Sequence, residues 1–352
     1  MPQASLAVES TRMFAEAAEA AGVVRRQLGD NRRAMSRLGE TLRALRPRAV
    51  VTCARGSSDH AATFARYLIE TRLGIMTASA APSVSSIYAS TPELKGAVCL
   101  AISQSGKSPD LLASVEAAKV GGAFIVAMVN VEDSPLAALA DEVTPLRAGP
   151  ELGVAATKSY IATLAAIAQL VACWTEDGDL LAALDGLPEQ LSQAWTLDWS
   201  KAVDHLLPAR NLYVIGRGVG FAIAQEAALK LKETCGLHAE AFSGAEVQHG
   251  PMTLVDQGFP VLVFSLDDET REGIDELVSE FASRGADVLL AGPPRAGPLR
   301  HAVHVVPALT AHPVLEPILL IQSFYRMANR LSILRGFDPD RPPHLNKVTE
   351  TL

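Results

Sequence analysis

A six-residue stretch, SQSGKS at 103–108, places three hydroxyls, an amide and a glycine between an apolar run and a run with helical spacing. A helix that begins after a strand exposes N–H groups without intrahelical partners, and its dipole favours negative charge there. Gly106 would let a ligand approach the backbone because it has no Cβ. The stretch predicts a phosphate-binding turn, with an ordinary capped turn as the alternative. The predicted binding side chains are Ser103, Gln104, Ser105 and Ser108.

A second stretch, ARGSSDHA at 54–61, repeats this pattern of strand end, glycine, hydroxyls and helix start. Its serines, Ser57 and Ser58, could form another rim of the same pocket, or they could belong to an ordinary capped turn. A third polar insert, ELGVAATKSY at 151–160, precedes a helix, and we expect Lys158 in it to be solvated.

Residues that could move protons are concentrated at 228–252. Lys230 and Glu233 are three apart and would share one face of a helix that ends at Gly236. A carboxylate placed there could transfer a proton, although an exposed Lys–Glu pair is an equally ordinary interpretation. His249 precedes Gly250 and Pro251, and it could either transfer a proton to or from a ring oxygen of a ligand or hydrogen-bond to backbone.

Composition and charge exclude several classes of function. The net charge of −8 and the pI near 5.5 argue against non-specific nucleic-acid binding, which needs a basic surface. No basic region followed by an apolar core opens the chain, and no uninterrupted apolar run reaches ~18 residues. We therefore expect a cytoplasmic protein without a signal peptide or a membrane span.

The cysteines and histidines do not predict a metal site. The four cysteines are far apart and lie in apolar segments, which is typical of buried free thiols in a reducing compartment. His238, His249 and a nearby glutamate have spacings that match no zinc motif. The cysteines are Cys53, Cys99, Cys173 and Cys235.

The order of elements predicts an α/β fold. Two helices interrupted at 29–31 should cover residues 8–45, and short apolar runs then alternate with amphipathic stretches. This alternation is typical of parallel sheets covered by helices on both faces. The tail after residue 335 is rich in Pro and polar residues and predicts irregular structure.

An internal repeat predicts two copies of the α/β unit. The segments ARGSSDHAATF, which begins at 54, and GRGVGFAIAQE, which begins at 216, are 162 residues apart, and the same offset relates Ser103 to Ser265. After Ser265 the chain continues with Leu-Asp-Asp-Glu, whose carboxylates would repel an anion. Only the first copy should therefore hold a phosphate.

The predicted domains follow from this repeat. N-terminal helices cover 1–45 and pack on the core, and the phosphate-binding domain covers 46–197. The domain with the acid–base residues covers 198–335, and the tail, 336–352, is expected to lie over the active site.

The stretches SQSGKSPD, ELGVAATKSY and ALKLKETCGLHAEAFSGAEVQHGP, with the tail RGFDPDRPPHLNKVT, resemble the sugar isomerase (SIS) family. Within it they look like the isomerase half of the glucosamine-6-phosphate synthases, over residues 45–352. The resemblance implies two tandem SIS domains with flavodoxin-like layers. It also implies a homodimer with shared active sites and a phosphosugar substrate.

The family resemblance also implies roles for single residues. Ser103, Gln104, Ser105 and Ser108 would bind the phosphate, and Ser57, Ser58 and the backbone at Val154 would contact the sugar. Glu233 would move the proton between C1 and C2, and Lys230 would assist beside it. His249, from a neighbouring subunit, would help to open the ring, and Lys347 matches a lysine that engages the open-chain carbonyl.

Three departures from the synthase pattern limit how much of the synthase activity we expect of this chain. Lys107 stands where a glutamate is usual, and Ala156 stands where a serine is usual. The nucleophilic cysteine that follows Met1 in the glutamine-hydrolysing domain has no counterpart, because residue 2 is Pro. We therefore do not expect this chain to hydrolyse glutamine by itself.

The predicted reaction is deamination of glucosamine-6-phosphate to fructose-6-phosphate and ammonia, without a metal or a redox cofactor. The alternatives are a deglycase or isomerase that acts on another sugar phosphate, and a non-catalytic sensor of sugar phosphates. A synthase subunit that receives ammonia from a separate glutaminase chain is a further alternative.

Overall fold

The computed structural model describes residues 7–294 and 303–345, which form two compact units. The first-sheet unit contains residues 22–151 and 158–187, and the second-sheet unit contains 7–21, 152–157 and 188 onward. Each unit has a parallel five-stranded sheet flanked by helices, which confirms the predicted α/β fold. No helix in the described ranges is long and apolar enough to cross a membrane.

In the first-sheet unit the strand order is β2-β1-β3-β4-β5. Its strands are β1 (Ala49–Cys53), β2 (Thr77–Ser79), β3 (Ala97–Ser103), β4 (Phe124–Val129) and β5 (Glu142–Pro145). Its helices are α3 (Ser57–Leu73), α4 (Pro82–Ser86), α5 (Pro109–Val120), α6 (Pro135–Leu139), α7 (Lys158–Thr175) and most of α2 (Ala20–Leu45).

In the second-sheet unit the order is β10-β9-β8-β6-β7. Its strands are β6 (Asn211–Gly216), β7 (His238–Ser243), β8 (Pro260–Phe264), β9 (Asp287–Ala291) and β10 (His304–Val306). Its helices are α1 (Arg12–Ala18), α9 (Ser200–Leu206), α10 (Gly220–Cys235), α11 (Arg271–Ser283) and α12 (Glu316–Leu334), and α8 (Gly178–Thr196) crosses the boundary. Single 3-10 turns cover Val8–Ser10, Glu246–Gln248 and Pro251–Leu254.

The two sheets have the same topology. β1 begins at 49 and β6 at 211, β2 at 77 and β7 at 238, and β5 at 142 and β10 at 304, so the spacing stays close to the predicted offset of 162. In each sheet the order is that of a flavodoxin-like fold, whose ligands bind beyond the carboxyl ends of the two central strands. For the first sheet these are β1 and β3.

The N-terminal helices differ from the prediction in one respect. The predicted break at 29–31 is wrong, because α2 runs through it without interruption. Asn31 is buried and its side-chain amide donates to the Pro145 carbonyl at 2.7 Å, while Gly29 is exposed. The helix break instead lies at Glu19, between α1 and α2.

The sequence analysis did not predict three of the strands, namely β2, β5 and β7. Each lies at an edge of its sheet, and each has partly exposed residues rather than an apolar run. The fully buried strand β3, in contrast, is the apolar run that the sequence places before SQSGKS.

In the second-sheet unit, the buried carboxylate of Glu316 binds the loop that follows β8. After β8, the Asp267 N–H donates to Glu316 Oε2 at 2.8 Å, and the Ala311 N–H donates to Oε1 at 3.4 Å. Glu316 is fully buried, and burial raises its pKa to about 7 despite these bonds. Asp267 is the counterpart of Ser105, so the N–H of this loop is already occupied by an internal acid.

Two glycines of α2 provide a matched test of helix packing. A Cβ at Gly39 would lie 2.7 Å from the Cys173 carbonyl oxygen on α7, whereas a Cβ at Gly29 would meet nothing within 4 Å. We expect Gly39→Ala to destabilise the protein by about 1–3 kcal/mol because α2 and α7 must separate. Gly29→Ala should stabilise it by up to about 1 kcal/mol through helix propensity. Urea unfolding of both variants measures the difference, and equal effects would contradict this packing.

Glu316 should make stability depend on pH. The pKa of Glu316 is raised in the folded state to about 7. Its contribution to the free energy of unfolding is therefore full below pH 4.5 and is lost as pH rises through 7. As pH rises from 4.5 to 8, the unfolding free energy of the wild type should fall by up to about 3 kcal/mol relative to that of Glu316→Gln. Exposed Glu276, in α11, gives the control Glu276→Gln, and parallel pH profiles for all three proteins would contradict the assignment.

Candidate functional site

The turn after β3 has the form of an anion cradle. Ser103 is buried at the end of the strand, and its Oγ accepts a hydrogen bond from the Gly106 N–H at 3.0 Å. Ser105 Oγ accepts from the Lys107 N–H at 3.3 Å, and Ser108 precedes α5 as its N-cap residue without a side-chain cap bond. The turn therefore wraps a helix N-terminus with hydroxyls, which suits a phosphate group.

Gly106 is the one position of this turn that requires glycine. Its φ is +65°, and a Cβ there would lie 2.3 Å from Ser134 Oγ and 3.0 Å from Val129 Cγ2. The carbonyl of Gly106 also accepts from the Leu136 N–H at 3.1 Å. The start of α6 thus holds the turn in place through Gly106. The sequence analysis missed Ser134, which packs against that glycine.

The turn after β1 lies at the same edge of the sheet, because β1 and β3 are hydrogen-bonded parallel neighbours. Ser57 and Ser58 begin α3 there and are half-buried. Arg55 joins the two turns: its guanidinium donates to the buried Asp110 carboxylate at 2.7 and 2.8 Å. The structure therefore brings the two predicted serine-rich turns to one switch point, with Arg55 between them.

The loop at 152–157 belongs to the second-sheet unit, where α1 holds it. The N–H groups of Leu152 and Gly153 donate to the buried Glu16 carboxylate at 2.5–3.2 Å. Val154 follows them and is half-buried, so its backbone position is set by Glu16. Nothing in the sequence near Val154 pointed to Glu16.

Lys158 departs from the sequence prediction. It begins α7 but is only 2% exposed, so the expectation of a solvated lysine is wrong. Almost every residue of α7 is buried, because this helix is apolar on all its faces.

In α10, a line of charged residues lies in the core of the second-sheet unit. Lys230 Nζ is 2.5 Å from Glu233 Oε2 and 3.5 Å from Glu226 Oε1. Lys230 is 1% exposed and Glu226 is fully buried, whereas the Glu233 side chain is 20% exposed. The α12 residue Tyr325 donates its hydroxyl to Glu226 at 3.1 Å. The Lys–Glu pair is therefore not an ordinary surface pair.

The charges in this line determine how Glu233 is held. Burial alone would lower the pKa of Lys230, but the carboxylates of Glu226 and Glu233 outweigh burial and raise that pKa. The ammonium therefore stays charged and holds Glu233 on one side, while the exposed part of Glu233 can reach a ligand. α10 ends at Cys235, two residues after Glu233, and its cap residue Gly236 has a φ of +59°, which matches the predicted helix end.

Two further acid–base residues were predicted, His249 and Lys347. His249 is exposed and follows the turn Glu246–Gln248. Lys347 lies outside the described residues. The tail before it is irregular, as predicted, and Asp340 anchors it by accepting from the N–H groups of Arg12 and Met13 at 2.6 and 2.9 Å.

Each unit thus supplies one kind of chemistry. The first-sheet unit offers hydroxyls, amides and N–H groups for an anion, and the second-sheet unit offers a carboxylate that a buried ammonium orients. The residues that the sequence analysis missed are Arg55, Asp110, Ser134, Glu16, Glu226 and Tyr325.

Comparison with known proteins agrees with the fold. The SIS domain model matches residues 46–173 and 205–291. An isomerizing glutamine–fructose-6-phosphate aminotransferase of Symbiobacterium thermophilum is 34% identical over 321 residues, which are 87% of this chain and 52% of that protein. The chain spans about half the length of the curated relatives it matches.

Two solved structures share the fold. One, from Silicibacter pomeroyi DSS-3 and provisionally named a phosphosugar isomerase, is 41% identical, with a TM-score of 0.88 and coverage of 94% of this chain and 100% of that one. The other is the C-terminal domain of a Francisella tularensis glucosamine-fructose-6-phosphate aminotransferase, 24% identical, with a TM-score of 0.82 and coverage of 95% and 98%. The chain is a member of the SIS domain family, with one SIS segment in each of its two parallel sheets.

Proposed function

We propose that this protein is a phosphosugar isomerase that deaminates its substrate, converting glucosamine-6-phosphate and water into fructose-6-phosphate and ammonia. The observation that carries the proposal is the carboxylate of Glu233, held at 2.5 Å by the buried ammonium of Lys230 and still partly exposed. A sensor of sugar phosphates would need the phosphate turn alone and would have no use for such a group.

The phosphate would bind at the turn formed by Ser103, Gln104, Ser105 and Ser108. Ser57, Ser58 and the backbone at Val154 would contact the sugar hydroxyls, and Lys347 would engage the open-chain carbonyl. Fixing the anionic end of the sugar positions its reacting carbons, which is how binding energy away from the reaction contributes to rate.

The chemistry needs a single proton shuttle. His249 would assist ring opening, which exposes the C1 aldehyde beside the C2 amine. Glu233 would then remove the C2 proton and return it to C1, which converts the amino-aldose into an imino-ketose. Water adds to the imine carbon and ammonia leaves, so the atoms of both substrates are accounted for in fructose-6-phosphate and ammonia.

The cysteines of the chain are buried or half-buried thiols rather than placed as nucleophiles. Cys53, Cys99 and Cys235 are buried, and Cys173 is half-buried. Burial raises the pKa of Cys53 and of Cys235 to about 11, so neither offers a thiolate near neutral pH. None of these thiols is a suitable nucleophile for an amide.

A plain aldose–ketose isomerase is the second candidate. The name given to the 41% identical Silicibacter pomeroyi protein favours it, and the same Glu233 shuttle would serve it. In that case glucose-6-phosphate or another neutral aldose phosphate would be the better substrate, and a deglycase would instead prefer an amine-linked sugar phosphate. The homodimer with shared sites, the cytoplasmic location and the domain limits at 46, 198 and 336 remain predictions.

Replacing Glu233 tests the proposed reaction. The wild type should release ammonia and fructose-6-phosphate from glucosamine-6-phosphate in equal amounts. Glu233→Gln should lower kcat by about 10²–10⁴-fold, because the amide cannot carry the proton. Coupled assays of both products, with glucose-6-phosphate as a parallel substrate, give the measurement and separate deamination from plain isomerisation.

The control is Glu240→Gln, because Glu240 is an exposed carboxylate on β7 in the same unit. Its kcat should equal that of the wild type. Robust ammonia release by Glu233→Gln would remove Glu233 from the proposed role.

Replacing residues of the turn after β3 tests the phosphate assignment. Ser105→Ala should raise KM for glucosamine-6-phosphate about tenfold through loss of a hydrogen bond to a charged group, and Gly106→Ala should raise it further through distortion of the turn. Steady-state kinetics with glucosamine and with its phosphate report whether the preference for the phosphate is lost. Exposed Ser90 gives the control Ser90→Ala, and an unchanged preference in both turn variants would place the phosphate elsewhere.

A further inference from the structure

Three side chains with metal-binding chemistry meet at one end of the second sheet. Asp287 is the first residue of β9, His304 is the first residue of β10, and His205 lies in the last turn of α9. These positions are 82 and 17 residues apart in sequence, so only the fold brings them together. Among the described residues, they are the group of three whose ligand atoms all lie within 4.8 Å of one another.

The distances suit a small metal ion. His205 Nδ1 is 3.0 Å from Asp287 Oδ2, and His304 Nε2 is 3.6 Å from Asp287 Oδ1. Ligands placed about 2.0–2.2 Å from a tetrahedral zinc ion are themselves about 3.3–3.5 Å apart. Each histidine nitrogen therefore lies near such a separation from one oxygen of Asp287, and one ligand atom from each residue lies within 4.8 Å of the other two.

The charges also fit an ion better than a simple ion pair. The two imidazole rings are 3.9 Å apart between centroids, so two protonated histidines would repel each other strongly. One carboxylate between two neutral imidazoles has a net charge of −1, which favours a divalent cation. Nitrogen and carboxylate donors of this kind select transition metals over Mg²⁺ or Ca²⁺.

The place is accessible to solvent, and none of its three side chains belongs to α10. The three side chains are 25–33% exposed, which leaves a path for an ion and room for water as a further ligand. β9 and β10 lie at one lateral edge of the sheet, and β7, which follows α10, lies at the other.

We propose that His205, Asp287 and His304 form a binding site for a divalent transition-metal ion of the zinc class, which fastens α9 and the edge strand β10 to β9. Within the described residues, β10 has three residues and pairs with β9 alone, so an added crosslink would strengthen this edge of the sheet. The site does not depend on the proposed reaction.

The test uses the full chain, stripped with a chelator and then titrated with Zn²⁺ alone by calorimetry. We expect one ion per chain, a higher melting temperature with Zn²⁺ than with Mg²⁺, and visible tetrahedral bands when Co²⁺ replaces Zn²⁺. His304→Ala and Asp287→Asn should each weaken Zn²⁺ binding at least tenfold. His304→Gln, which keeps more of the side-chain volume, serves if the alanine variant fails to fold.

The matched control is His238→Ala, because His238 is an exposed histidine in the same unit and begins a strand as His304 does. It should bind Zn²⁺ like the wild type. Absence of stoichiometric binding, or equal weakening by His238→Ala and His304→Ala, would overturn the proposal. A wild type that binds Zn²⁺ but releases no ammonia from glucosamine-6-phosphate would count against the proposed reaction only.

Discussion

A buried ammonium must have carboxylates beside it, and this constraint organises the charged residues of α10 in the second-sheet unit. Removing Lys230 from water costs several kcal/mol unless the ion is paired and hydrogen-bonded. Helix α10 supplies both partners from its own sequence, at positions four residues before and three residues after the lysine. Glu226 is fully buried and is also bonded by Tyr325, so it can neutralise the lysine without reaching solvent.

The ion pair with Lys230 fixes the position of the Glu233 side chain, which nevertheless stays partly exposed to solvent. Its side chain lies in the last turn of α10, next to the Gly236 cap, where the helix leaves it at the edge of the core. A group that is held on one side by an ion pair and open on the other can exchange a proton with a ligand without reorganising. That preorganisation is what general acid–base catalysis requires of a carboxylate.

The duplicated architecture explains why the two halves differ in chemistry. Both sheets present a turn after their central strand, but the first turn is lined by serines and the second receives the buried Glu316 carboxylate. An N–H group that already binds an internal acid is not available to a phosphate. The first turn therefore leaves its hydroxyls available to a ligand, whereas the second is occupied by Glu316, and the second-sheet unit has its buried charged groups on α10.

Much of this could be predicted from the sequence, because the relevant signals are local. The apolar run of β3, the serine-rich turn after it and the glycine that ends α10 all lie within short segments, and all three have the expected structure. The edge strand β7 was missed because its exposed residues break the apolar pattern.

The partners of the reactive groups could not be predicted, since they come from distant parts of the chain. Tyr325 lies 99 residues from Glu226, and Glu16 lies 137 residues from Gly153. Asn31 is a further case: in the sequence it is a typical helix breaker, but its amide finds a buried carbonyl on another segment. Such contacts follow from the packing of elements, which periodicity and spacing do not encode.

The central claim is that Glu233 carries the proton between two carbons of a sugar phosphate. The most direct measurement follows glucosamine-6-phosphate deuterated at C2 by NMR, with the wild type and with Glu233→Gln. The account predicts that the wild type removes the C2 deuterium during turnover and fills one C1 position stereospecifically, and that the variant does neither at a measurable rate. Removal of the C2 deuterium at the wild-type rate by Glu233→Gln would contradict the account.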